Sequence, residues 1–174
     1  MMPAVDQHSV GQEIAMRFVF IRHGHYDKPK DKAARPRASL IPQGREAAQR
    51  AGEFLREQSI IPDLLCHTST ARARETADIV LRELGVERPV VDVGSGFQKG
   101  ATRREIEARV ATWAALAVPA PEVIAFVGHD TQQIACLREL ARGTLSIPKE
   151  NRACVLVFDK DGDGWTLGAH HSGS

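Results

Sequence analysis

The sequence predicts a three-layer α/β fold: a mostly parallel central sheet flanked by helices, with an antiparallel C-terminal hairpin. Three observations carry this. Short β-branched and aromatic runs alternate with segments of 3.6-residue apolar period, the order that builds parallel sheets through helical crossovers. Two of those runs, Arg17–Arg22 (RFVFIR) and Val123–Val127 (VIAFV), are apolar enough for strands covered on both faces. The end of the chain breaks the alternation with two strand-like segments around Lys160-Asp161-Gly162-Asp163-Gly164, a turn composition that joins hairpins.

Residues 1–15 are polar and aperiodic and are expected to form a flexible extension, leaving 16–174 as one domain. RFVFIR is the first strand; it ends at Gly24, and His25–Arg37 follows as a charged loop holding Pro29 and Pro36. Ala47, Ala48, Ala51, Phe54 and Leu55 set a helical period over Pro42–Gln58. Leu64–Cys66, introduced by Pro62 and Asp63, is a brief second strand. A helix over Ala71–Leu84 places Ala73, Ala77, Val80, Leu81 and Leu84 on one face and stops at Gly85. Pro89–Val93 is a third strand, followed by a loop marked by Gly94, Gly96 and Gly100. Ala101–Leu116 is a charged amphipathic helix closed off by Pro119 and Pro121. Val123–Val127 is a core strand, with Gly128 easing a tight turn into a helix from Thr131 to about Arg142. Ala153–Asp159 and Trp165–Ala169 form the hairpin.

Composition removes several functions. A net charge of +1 supplies no global field toward nucleic acid or membrane. Six Phe, two Trp and one Tyr are too few for a base-stacking platform. Cys66, Cys136 and Cys154 are widely separated with no CxxC pair, which argues against a disulfide framework or structural zinc and suits the reducing cytoplasm. No basic stretch precedes an apolar one at the N-terminus, so no signal peptide is expected, and the longest apolar runs are too short to span a bilayer.

Two of the seven histidines stand at corresponding places: His23 follows RFVFIR and His129 follows VIAFVG. In parallel sheets ligands bind beyond the carboxyl ends of the strands, so both face one crevice. Arg22 adjoins His23, and Arg72 opens the helix after the second strand. Together they form an anion site near helix N-termini.

These residues resemble a known pattern. Arg22-His23-Gly24 after the first strand, RAxxTA at Arg72–Ala77 and the later Gly128-His129 resemble the histidine phosphatase superfamily, of phosphoglycerate-mutase-like fold. Leu40-Ile41-Pro42-Gln43-Gly44 is similar to the family's LTPxG lead-in to its first helix. The matches run in order across residues 18–140, and the short chain and terminal hairpin look most like the small SixA-type phosphohistidine phosphatases. The resemblance implies that His23 is the nucleophile, that Arg22 and Arg72 clamp the phosphoryl group and that His129 adds a charge-assisted hydrogen bond, with no metal or other cofactor. It implies a phosphorylated protein or a small phosphorylated metabolite as partner.

One departure bears on substrate. Mutases and broad phosphatases of this family carry a glutamate beyond the second helix that protonates the leaving oxygen. The corresponding stretch, Val91–Gly100, has none, although Asp92, Glu105 or Asp130 could reach the pocket. An alkoxide needs that proton; the nitrogen of a phosphoramidate takes one readily from solvent. The expected function is therefore protein phosphohistidine hydrolysis, with a broad small-molecule phosphomonoesterase or a catalytically silent phosphate-binding module as alternatives. Arg35 and Arg37 lie in the loop opposite the pocket mouth, and one of them, with Arg37 preferred, is a candidate to touch phosphate or substrate; His25 is a candidate to line the mouth, Arg74 should face away from Arg72, and His8, His67, His170 and His171 receive no role. Asp159–Gly164 opens like a calcium loop, but its twelfth position is His170 and strands flank it, so a hairpin turn is expected.

Overall fold

The computed structural model describes residues 16–129, 131–140, 152–162 and 164–173. In chain order these form β1 (Met16–Arg22), α1 (Pro42–Glu57), β2 (Leu64–His67), α2 (Ala71–Leu84), β3 (Val90–Asp92), α3 (Arg103–Ala114), β4 (Val123–Gly128), α4 (Thr131–Leu140), β5 (Val155–Asp161) and β6 (Gly164–His171). The strands make a sheet in the order β3-β2-β4-β1-β5-β6. β1 to β4 run parallel; β5 lies antiparallel to β1, and β6 antiparallel to β5. This is the predicted three-layer α/β fold with its antiparallel C-terminal hairpin.

Alternation along β1 divides the core into two layers. Phe18 and Phe20 pack with Leu64, Cys66, Ile124 and Phe126 against Ile106, Val110 and Trp113 of α3 and Leu137 of α4. Trp113 stacks on Phe126 at 4.5 Å between centroids. On the other face Val19, Ile21, Leu65, Ala125 and Val127 pack against Ala47, Ala51 and Leu55 of α1 and Ala73, Ala77 and Val80 of α2. All of these strand residues are fully buried, which is why their runs are continuous rather than alternating.

The same layering places a crevice. β1 leads to α1 on one face of the sheet, while neighbouring β4 leads to α4 on the other. The two connections part at the carboxyl ends of β1 and β4, the position where open parallel sheets bind ligands.

Boundaries differ from the sequence expectation in three places. The charged loop after β1 contains a 3₁₀ helix over Lys32–Arg37, started by Asp31, whose side chain accepts from the Ala33 N–H at 2.9 Å. The hairpin strands run further than predicted, with Asp161 opposite Gly164, because backbone pairing continues through polar residues up to a turn at Gly162 (φ +53°). Of the acidic cluster, Asp159 and Asp161 lie on the first strand of this hairpin, and Asp163 is outside the described residues. α3 begins later, where Thr102 and Glu105 close a capping box. Residues 1–15, Asp130 and the expected end of α4 at Arg142 lie outside the described residues. Among the described residues no helix is long and apolar enough to cross a membrane.

Candidate active site

His23 is the first residue beyond β1. Its N–H donates to the Gly128 carbonyl at 3.0 Å, extending the β1–β4 pairing by one residue. The turn that follows is locked between helices. The Gly24 N–H donates to Thr76 Oγ1 at 3.2 Å, and a Cβ on Gly24 would collide with the Gly44 carbonyl of α1. Only glycine permits that approach.

This fixes the imidazole. His23 is 2% exposed, and its Nδ1 lies 2.7 Å from the Gly24 carbonyl. A carbonyl only accepts, so Nδ1 carries the hydrogen and Nε2 presents its lone pair. Arg72 Nε donates to that lone pair at 3.2 Å. Burial, reinforced by the positive charges of His129, Arg72 and Arg152, pushes the His23 pKa down to about 2 against the opposing pull of the Gly24 carbonyl. The ring is neutral and nucleophilic at physiological pH.

Arg72, the second residue of α2, is held from three directions. Besides His23 it donates from Nη1 to the Arg35 carbonyl at 2.8 Å, and its Cζ lies 4.2 Å above the Tyr26 ring. Tyr26 meets His23 edge-on at 5.4 Å. His129, the first residue beyond β4, meets the His23 ring in a T-shape at 5.2 Å. Its Nε2 pairs with Thr68 Oγ1 at 2.9 Å, and its N–H donates to Gln133 Oε1 at 3.0 Å. Gly128 is needed for a different reason from a tight turn: the Gln133 amide lies against its Cα, where a Cβ would sit.

His23, Arg72 and His129 line a cavity of about 410 Å³ together with Tyr26, Lys28, Phe97, Gln133 and Arg152. No carboxylate is among these lining residues. The arrangement offers a neutral nucleophile surrounded by donors and fixed positive charge, which suits attack on an anionic, electrophilic centre.

The sequence profile of the histidine phosphatase superfamily (branch 1) matches residues 18–94, which span β1 through β3 with His23 and Arg72. The matched stretch is under half of the 174-residue chain and carries the first half of the site. Its fold is that of SixA from Agrobacterium tumefaciens, at TM-score 0.70 and 18% identity over 90% of this chain and 98% of that one. It is equally similar to the protein histidine phosphatase SixA complexed with tungstate, at TM-score 0.70 and 18% identity over 90% of this chain and 97% of that one. A mycobacterial glucosyl-3-phosphoglycerate phosphatase matches at TM-score 0.56 and 20% identity, over 92% of this chain and all of its own. No curated protein matches the chain by sequence.

The remaining candidates fall elsewhere. Arg22 is buried beside His23, with its N–H donating to the Cys154 carbonyl at 3.0 Å, and is not among the residues lining the cavity. Arg37 lines an adjoining cavity of about 590 Å³ with His67, Arg74, Asp78 and Asp92 rather than the one around His23. Arg35, the other candidate of that loop, meets Arg72 through its carbonyl. His25 is also outside the catalytic cavity; its carbonyl accepts from the Ile41 N–H at 3.1 Å, turning the residue toward α1. Burial, then the charges of Arg152, Arg22 and Arg50, hold its pKa below the ordinary value.

The candidate acids are committed to other bonds. Asp92 accepts from Ser69 Oγ at 2.5 Å and from the Gly94 N–H at 2.8 Å, and these bonds hold it below the usual carboxylate range. Glu105 closes the cap of α3, and Asp130 lies outside the described residues. Among the described residues no group of three or more His, Cys, Asp or Glu could hold a metal ion. Burial raises the Cys66 thiol to about 12 and Cys154 to about 11, so neither is a nucleophile.

Sequence reasoning missed Tyr26, Thr68, Gln133, Lys28 and Arg152. Thr68 had a readable signal, since it follows β2 as His23 follows β1. Gln133 had another, four residues after His129 on the next helix. Arg152 had none.

Proposed function

We propose that this protein is a phosphatase that forms a covalent phosphohistidine on His23, that it needs no metal, and that its substrate is a phosphohistidine on a protein in the cytoplasm. The observation that carries the reading is the neutral His23 imidazole, with Nε2 bared by the Nδ1–Gly24 bond, in a cavity whose charged lining among the described residues is cationic.

Nε2 attacks phosphorus, and the bond from phosphorus to the leaving nitrogen breaks with its electron pair going to that nitrogen, which takes a proton from solvent. Arg72 swings from Nε2 onto the phosphoryl oxygens as the lone pair is used, and Arg22 and His129 add positive charge around the same group. Water then attacks phosphorus, the Nε2–P bond breaks, and inorganic phosphate leaves. Nδ1–H stays on the Gly24 carbonyl throughout, so the nucleophile returns in the same tautomer. The guanidiniums and His129 supply the positive charge that a metal ion supplies in other phosphatases.

The absence of an acid from the cavity lining among the described residues supports a phosphoramidate, because an alkoxide would leave unprotonated. The SixA relative named as a protein histidine phosphatase supports the same substrate. A second reading, hydrolysis of a small phosphorylated metabolite, is favoured by the glucosyl-3-phosphoglycerate phosphatase relative. A side-by-side assay decides. Fast phosphate release from a phosphohistidine protein and slow release from a panel of alkyl phosphate esters is expected; the reverse order transfers the assignment to the esters, and inertness toward both leaves only phosphate binding.

A further inference from the structure

We infer that the catalytic cavity reads a second anionic group on the substrate, a carboxylate or phosphate beside the transferred phosphoryl group, and that Arg152 is its receptor with Lys28 at the mouth. The inference deepens the phosphatase reading and rests on it.

The cavity holds more positive charge than one phosphoryl group uses. Arg72 faces the nucleophilic Nε2 and, with His129, is placed to meet the phosphoryl oxygens. Arg152 and Lys28 line the same cavity and arrive from other parts of the chain, just before β5 and in the loop after β1. Neither makes a hydrogen bond or ion pair with any described residue, while other cations of the fold are paired, Arg17 with Asp159 and Arg45 with Glu75. A half-buried guanidinium without a counter-charge is costly in a protein, and a carboxylate is the group that relieves the cost. Among the described residues no carboxylate lines the cavity to do so internally.

Direction supports the assignment. The charge of Arg152 bears on His23, His25 and Arg72 alike, which sets it at the reacting end of the cavity rather than out in solvent. Lys28 is exposed and suits the outer edge. The volume, about 410 Å³, lies within the roughly 300–1,000 Å³ of small-ligand sites and leaves room beside a phosphoryl group. The second anion has two possible sources with the same chemistry: an acidic side chain flanking the phosphorylated residue of a protein, or an acidic leaving group on a small metabolite.

The test is calorimetric binding of two non-hydrolysable probes, methylphosphonate and phosphonoacetate, which share the phosphonate and differ by a carboxylate. Wild type is expected to bind phosphonoacetate at least about tenfold more tightly. Arg152→Met is expected to erase most of that gap and Lys28→Met a smaller part, with methylphosphonate binding retained in both as proof that the site is folded. Equal affinities in wild type, or a gap that survives in the double variant, overturn the inference alone. Failure of both phosphonates to bind overturns the phosphatase reading with it. Given the gap, phosphohistidine peptides with a flanking Glu or Gln separate the two sources: faster turnover of the Glu peptide, lost in Arg152→Met, assigns the anion to a protein, and equal turnover assigns it to a metabolite.

Discussion

Two cavities open side by side at the carboxyl edge of the sheet, and they are built from similar residues to opposite effect. The larger, about 590 Å³ beside β2 and β3, contains Arg37, Arg74 and His67, but also Asp78 and Asp92. The smaller, about 410 Å³ beside β1 and β4, contains Lys28, Arg72, Arg152, His23 and His129 with no carboxylate among its lining residues. The first is balanced internally; the second is left positive in a protein whose total charge is only +1. On the proposed function, what distinguishes the phosphate site is therefore neither size nor the presence of arginines. It is that no acid stands around them among the described residues, so that the field waits for an anionic ligand.

The largest effect that tests this contrast is at the nucleophile. His23→Ala is expected to reduce phosphate release to the uncatalysed level with an unchanged circular dichroism spectrum. Removing a cation from each cavity comes next. Arg72→Ala should cost about 10²–10³ in kcat, the scale of losing one preorganised donor. Arg37→Ala and Arg74→Ala should each change the rate less than about fivefold, as exposed, internally balanced charges do. Equal losses on both sides would erase the distinction between the cavities.

Placing an acid at the mouth of the positive cavity is a finer probe. Lys28→Glu should raise KM about tenfold with kcat nearly unchanged, and the penalty should shrink in high salt as the mouth is screened. Steady-state kinetics at two ionic strengths reads both.

The smallest expected effect is on stability. Unfolded His23 takes a proton near its ordinary value of 6.5, while burial keeps the folded ring neutral down to about 2. The unfolded state therefore binds the extra proton between those values, and folding stability is full above 6.5 and falls as pH drops below it. One such proton is worth at most about 1.4 kcal/mol per pH unit. Denaturant titrations from pH 7 to 4 should show His23→Gln flattening the decline by up to that slope, with a residual slope from His25 and His171, whose values burial also lowers.

The fold and the centre of the site were legible because both depend on local rules. Buried strands declare themselves by continuous apolar runs, and the residues just past β1 and β4 must share a crevice, so His23 and His129 could be placed together from their positions alone. Arg72 followed from its place on the first turn of α2. The errors came where nearness in sequence stood in for direction in space. His25 is two residues from His23, yet the Gly24–Gly44 contact turns it toward α1. Proximity in the loop offers Arg35 and Arg37 alike, whereas the 3₁₀ helix presents the Arg35 carbonyl to Arg72 and puts Arg37 on the adjoining cavity. Arg152 reaches the site across most of the chain, a contact that no periodicity or motif announces.

The account rests on a covalent bond between phosphorus and His23, and trapping it is the most direct test. Rapid mixing with labelled phosphohistidine protein, quenching in base and mapping by mass spectrometry should place one acid-labile, base-stable phosphate on the His23 peptide. That label should be absent in His23→Ala and should decay at the rate of turnover. A wild-type enzyme that turns over while the label is missing, or carried by another residue, would contradict the mechanism.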